Sequence, residues 1–87
     1  MNKQFIQKHI EQYKAYLIEL AVEECAEFIS IVQQSKRFDR TVNNNDICSE
    51  IADVIIMMEF MKHIYGEKEV NDEIDRKYNR IIERYYT

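Results

Sequence analysis

The sequence predicts an all-α protein, and three observations carry that reading. The 87 residues hold no proline and a single glycine, Gly66, so helix breakers are nearly absent. Apolar residues recur at three- and four-residue spacing over long stretches, and strand-like alternation is not evident. The length allows at most one domain, residues 1–87, which suits a helical bundle of about four helices.

A first helix is expected near residues 3–13 and a second near 15–36. Nothing at their join enforces a break, so they are either two helices or one long one. A loop near 37–44 follows, marked by Arg37-Phe38-Asp39-Arg40 and by Asn43-Asn44-Asn45, which offers N-cap residues. The third helix should run from about 46 to 65 and stop at Gly66. The fourth, about 68–86, is highly charged, with Val70, Ile74, Tyr78, Ile81 and Tyr85 as a narrow apolar stripe.

The third helix is apolar nearly all round. Ile47, Ile51, Val54, Ile55, Met58 and Met61 fill one arc, and Ile56, Met57 and Phe60 much of another. Such a helix is buried on nearly all sides. A chain this short, with 46% hydrophobic residues, cannot do that alone. The sequence therefore predicts a homo-oligomer, dimer or tetramer, whose partner completes the bundle, most simply by two-fold symmetry.

A net charge of −4 and a pI near 5.1 argue against general nucleic-acid binding, which needs a positive field. No apolar run reaches the ~18–20 residues that span a bilayer, so no membrane partner is expected. The start, Met1-Asn2-Lys3-Gln4-Phe5, lacks the apolar core of a signal peptide, and a cytoplasmic location is expected. Cys25 and Cys48 then read as free thiols acting as small hydrophobes. With His9 and His63 the only histidines, no zinc-site spacing occurs.

Two acid pairs stand inside apolar stretches. Glu24 and Glu27 lie in Leu20-Ala21-Val22-Glu23-Glu24-Cys25-Ala26-Glu27-Phe28-Ile29, and Glu50 and Asp53 in Glu50-Ile51-Ala52-Asp53-Val54-Ile55. Three-residue spacing puts each pair on one helix face. At 100° per residue, Leu17, Leu20 and Ile31 project near the first pair, and Met57 and Met61 near the second. Antiparallel helices would bring the pairs face to face, where like charges need a cation or raised pKa values. All-oxygen ligands favour a hard ion, Mg²⁺ or Mn²⁺; the competing reading is salt bridges to a neighbouring helix. Glu69/Asp72 and Asp72/Asp75 share the spacing but sit in a charged stretch and read as a solvated face. No Glu-x-x-His occurs, which argues against a di-iron oxidase.

Glu23-Glu24-Cys25-Ala26-Glu27 followed by Glu50-Ile51-Ala52-Asp53 has the form E-E-x-x-E, spacer, E-x-x-D. This resembles the MazG-like nucleoside triphosphate pyrophosphohydrolases of the all-α NTP pyrophosphatase superfamily, in their compact single-domain form, over about residues 17–84. The resemblance implies a hydrolase that converts a (deoxy)nucleoside triphosphate and water to the monophosphate and pyrophosphate, in nucleotide-pool control. It implies Mg²⁺ held by Glu24, Glu27, Glu50 and Asp53, with one of these acids orienting or deprotonating the attacking water. Glu23, about 100° round the helix, would take a second metal or orient a ligand, the alternative being a surface salt bridge. Lys77-Tyr78-Asn79-Arg80 has the family's Lys-aromatic-x-Arg form, which makes Lys77 and Arg80 phosphate-binding candidates; otherwise they pair with Glu73, Asp75 or Glu83. The chain departs from larger members in having no Trp for base stacking and a basic linker with Lys36, Arg37 and Arg40. Base-recognition residues therefore do not carry over. Tyr13, Tyr16, Phe28 and Phe38 are aromatic enough to stack on a base, though such residues more often pack core or interface. The rival readings are a non-enzymatic helical interaction module and an inactive relative that only binds nucleotide.

Overall fold

The computed structural model describes residues 1–37 and 42–86, and every regular element in them is a helix. There are three: α1 (Lys3–Ser35), α2 (Asn44–Tyr65) and α3 (Glu67–Tyr86). The sequence reading counts about four, and the difference lies at Tyr13. That residue leaves the helical region (φ −130°, ψ 21°), yet the helix resumes after it, so the two expected segments form one bent rod. A kink without proline or glycine has no local sequence marker.

The ends are set by side chains. Asn2 Oδ1 accepts from the backbone N–H of Gln4 (2.8 Å) and Phe5 (3.2 Å), satisfying two of the donors orphaned at the start of α1. Of the three consecutive asparagines, Asn43 caps α2 by accepting from the Asn45 N–H at 2.8 Å. Asp46 in the first turn of α2 and Lys62 and His63 in the last complement its dipole. Gly66 closes α2 with φ +132°, a backbone conformation closed to most L side chains, and α3 begins at the next residue. The expected loop residues Phe38, Asp39 and Arg40 lie outside the described residues.

α1 and α2 form an antiparallel hairpin. Its core is Ile6, Leu17, Ala21, Met57 and Phe60, flanked by Ile10, Leu20 and Met61. The bend at Tyr13 lets the first turns of α1 reach the far end of α2. There Phe5, His9 and Phe60 form a ring cluster with centroids 5.1 to 6.5 Å apart, and Tyr13 lies 5.0 Å from His9.

α3 leaves this hairpin as an arm. No Cα of α3 comes within 8 Å of one in α1. At its base an ion pair ties it to α1, Lys3 Nζ to Glu67 Oε1 at 3.7 Å. Every residue from Asn71 to Tyr86 is exposed, including the stripe residues Ile74, Tyr78, Ile81 and Tyr85. The radius of gyration is 16.1 Å, against about 12 Å for a compact chain of this length. α2 likewise buries only Met57 and Phe60, leaving Ile51, Ile55, Ile56 and Met58 exposed. Among the described residues, no helix is long and apolar enough to cross a membrane.

Candidate functional site: a carboxylate cluster between α1 and α2

The antiparallel hairpin sets the middle of α1 against the first turns of α2, and the two acid pairs meet there. One carboxylate oxygen each from Glu24, Glu27 and Glu50 lies within 4.8 Å of the others. Among the described residues, no other trio of His, Cys, Asp and Glu is gathered this closely. Asp53 is not one of this trio, but it stands near enough to Glu24 to help raise the Glu24 pKa. Glu23 is exposed and stands outside the trio.

Burial and mutual repulsion act together on these acids. The Glu24 pKa is raised above its ordinary 4.5, first by loss of water and then by the charges of Glu27, Asp53 and Glu50. Glu50 is raised in the same order of causes, by burial and then by Glu27, Asp53 and Asp46. No cation appears among the described groups that shift either one. The expected alternative, neutralisation by a neighbouring helix's Lys or Arg, is therefore not what surrounds Glu24 and Glu50 among the described residues.

Two oxygens carry the site's chemistry most directly. Glu24 Oε2 and Glu50 Oε2 are shut off from solvent and have no hydrogen-bond partner among the described residues. A buried acceptor left without a donor costs free energy unless something electropositive meets it. The cluster can relieve that cost by sharing protons, which its raised pKa values favour, or by gripping a hard cation. Three gathered carboxylates, with Asp53 nearby, supply oxygen donors only, the ligand set that Mg²⁺ and Mn²⁺ prefer.

The basic candidates are elsewhere. Lys77 and Arg80 sit on the exposed arm, where their nearest described electrostatic effect is to lower the pKa of Glu73 after Arg76 has done most of that work. In the single chain the structure does not bring them to the carboxylates. Of the aromatic candidates, Tyr13 and Tyr16 are exposed, Phe28 is half-buried, and Phe38 is outside the described residues.

Sequence reasoning overlooked the aromatic cluster at the other end of α2. Phe5, His9 and Tyr13 repeat every four residues, a one-face signal that was there to be read. Its partner Phe60 comes from another helix about fifty residues away, which the one-face spacing on α1 does not reveal.

Comparison of the chain with known protein families, with curated proteins and with solved structures finds no match.

Proposed function

We propose that the protein is a Mg²⁺-dependent nucleoside triphosphate pyrophosphohydrolase whose working site is the α1/α2 carboxylate cluster. The observation that carries this reading is the pair of solvent-excluded, unpartnered oxygens, Glu24 Oε2 and Glu50 Oε2, inside a group of acids with no described counter-charge. Glu24, Glu27, Glu50 and Asp53 would hold the ion, Mg²⁺ or Mn²⁺. When bound, the ion supplies Lewis acidity to the triphosphate oxygens and to water.

The chain's own residues do the rest. The half-buried acids fix the donor set on two helices rather than on a loop, so their positions are held by backbone hydrogen bonding. The member of the cluster left unsaturated by the ion orients the attacking water and takes its proton. Glu27, which is exposed, has the access that role requires. Lys77 and Arg80 are the proposed donors to the departing pyrophosphate. Because α3 stands off from α1, that contact requires the arm of another copy or another heading of the arm. A homo-oligomer is part of this proposal.

The test is release of pyrophosphate from a panel of ribo- and deoxyribonucleoside triphosphates with Mg²⁺, against the same panel with chelator. Metal-dependent pyrophosphate and monophosphate in equal amounts support the reading. No turnover on any triphosphate, with metal binding to the cluster intact, removes the enzymatic part of it. A Lys77→Ala change should raise KM; an unchanged KM and kcat confines α3 to structure. The second reading, a helical interaction module, draws on the broad exposed apolar surface of α2 and α3. It predicts a melting temperature indifferent to Mg²⁺.

A further inference from the structure

We propose that His63 is a proton-operated clasp that fixes the heading of α3 on α2, closed in mildly acidic solution and open in alkaline solution. Gly66 alone separates the two helices, so whatever sets the arm's direction acts at this elbow. His63 stands in the last turn of α2 with its side chain only 12% exposed, and a carboxylate faces each of its ring nitrogens. Nε2 lies 3.5 Å from Glu59 Oε1, four residues back on α2. Nδ1 lies 3.7 Å from Glu67 Oε2, on the first residue of α3. A neutral imidazole carries one N–H and one lone pair, whereas the imidazolium carries two N–H groups. A neutral ring in this place therefore turns a lone pair toward a carboxylate. Both separations exceed hydrogen-bond length, so what holds them is charge, and that charge is present only on the protonated ring.

The other described charges at the elbow make the ring decisive. On α2, Lys62 Nζ lies 3.5 Å from Glu59 Oε2, so Glu59 keeps a cation when the ring is neutral. On α1, Lys3 Nζ faces Glu67 Oε1 at 3.7 Å, but the Lys3 side chain is 77% exposed, and such a pair holds little in water. His63 to Glu67 is the ion pair that joins α2 to α3. Burial on α3 ends at Val70, one turn beyond Glu67, and every residue from Asn71 to Tyr86 is exposed. The arm's heading is thus decided by few contacts, and one of them switches with a proton. An imidazole changes charge between about pH 5 and 8, so loss of the ring proton in that range opens the clasp. It lies at the opposite end of α2 from the carboxylate cluster, and the inference needs neither metal nor nucleotide.

The experiment is single-molecule energy transfer in the whole chain. Dyes sit on Cys48 and on an Asn79→Cys site, with Cys25→Ser removing the second thiol. Labelled chain is diluted into unlabelled chain, so that only distances within one chain are read. From about pH 5.5 to 8.5 the transfer distribution is expected to pass from narrow to broad, with one midpoint in the imidazole range. His63→Gln should abolish that response and keep the broad form at every pH. Glu67→Gln, at a half-buried site on the arm's first residue, should do the same with the ring left in place, and it carries the test if His63→Gln loses its helicity. His9→Gln should keep the response. A distribution unmoved across this interval in the otherwise wild-type chain overturns the proposal. So does a response that survives in either folded elbow variant, or one that disappears with His9→Gln, which would move the switch to the aromatic cluster.

Discussion

The hairpin and the arm both carry acids three residues apart, and the molecule treats them in opposite ways. On α3, Glu73 meets Arg76 (Nη2 to Oε2, 2.6 Å) and Asp72 meets Lys68 (2.7 Å), all in water. The Glu73 pKa is lowered, chiefly by the hydrogen bond and charge of Arg76. Between α1 and α2, Glu24 and Glu50 have no such partner among the described residues, and their pKa values are raised. The residue types match, and on the arm the pairs at that spacing are Glu69/Asp72 and Asp72/Asp75, with Glu73 beside them. What differs is the company they keep: Lys and Arg one turn away on the arm, Leu, Met and other acids in the hairpin. An acid pair is informative when its neighbours give it no reason to be charged.

The largest expected break in this comparison is catalytic. Glu50→Gln removes one donor from the cluster and should lower pyrophosphate release at least ~100-fold, whereas Glu73→Gln should leave the rate within about two-fold. Equal effects of the two, measured under saturating Mg²⁺, would erase the distinction between the regions.

Metal should act on one region alone. With Mg²⁺ at about a hundred times its Kd, the melting temperature should rise by roughly 10–20 °C. Glu24→Gln should lose most of that rise. A wild-type melt unmoved by metal would leave the cluster without an ion.

The pH response separates the regions by sign. For Glu24 and Glu50 the folded pKa is above the unfolded 4.5, so their protonation favours the fold. Without metal, that stabilisation is complete below 4.5 and is lost as pH climbs through their raised values. Glu73 runs the other way: its contribution is present above 4.5 and is lost as pH falls through its lowered value. Acidification from neutral pH toward 4.5 should therefore raise the metal-free melting temperature, and the Glu24→Gln, Glu50→Gln double variant should flatten that slope. A melt that falls steadily over this interval contradicts the assignment.

The smallest effect is on the arm. Arg76→Ala breaks an exposed pair and should move the melting temperature by less than ~2 °C. A larger drop would mean that the arm's ion pairs hold up the fold.

Much of this was legible beforehand. The helix ends at Asn43 and Gly66 follow from local chemistry, as does the approach of Glu50 to Glu24 and Glu27, since a short link between two amphipathic helices makes them antiparallel; Asp53 stays outside that trio. The join near residues 13–15 was legible but not its form, a bend at Tyr13 within one rod, because no residue there demands it. Nor was the standing-off of α3. Its stripe of Val70, Ile74, Tyr78, Ile81 and Tyr85 says that something should cover it, but a stripe does not say whether the cover belongs to the same chain. Lys77 and Arg80 were matched to the acids by motif, and motif carries no information about the angle at Gly66.

That angle has a mechanical consequence. α3 is a rod about 30 Å long swung from a single peptide junction, so ten degrees of rotation at Gly66 would sweep Tyr86 through about 5 Å. Glu67 stands at the pivot and is stayed from two sides, by Lys3 at 3.7 Å and by His63 Nδ1 at 3.7 Å, like a mast held by guy lines. Small adjustments at those two stays are magnified at the tip, which makes the residues around the pivot the place to steer the rod without touching it.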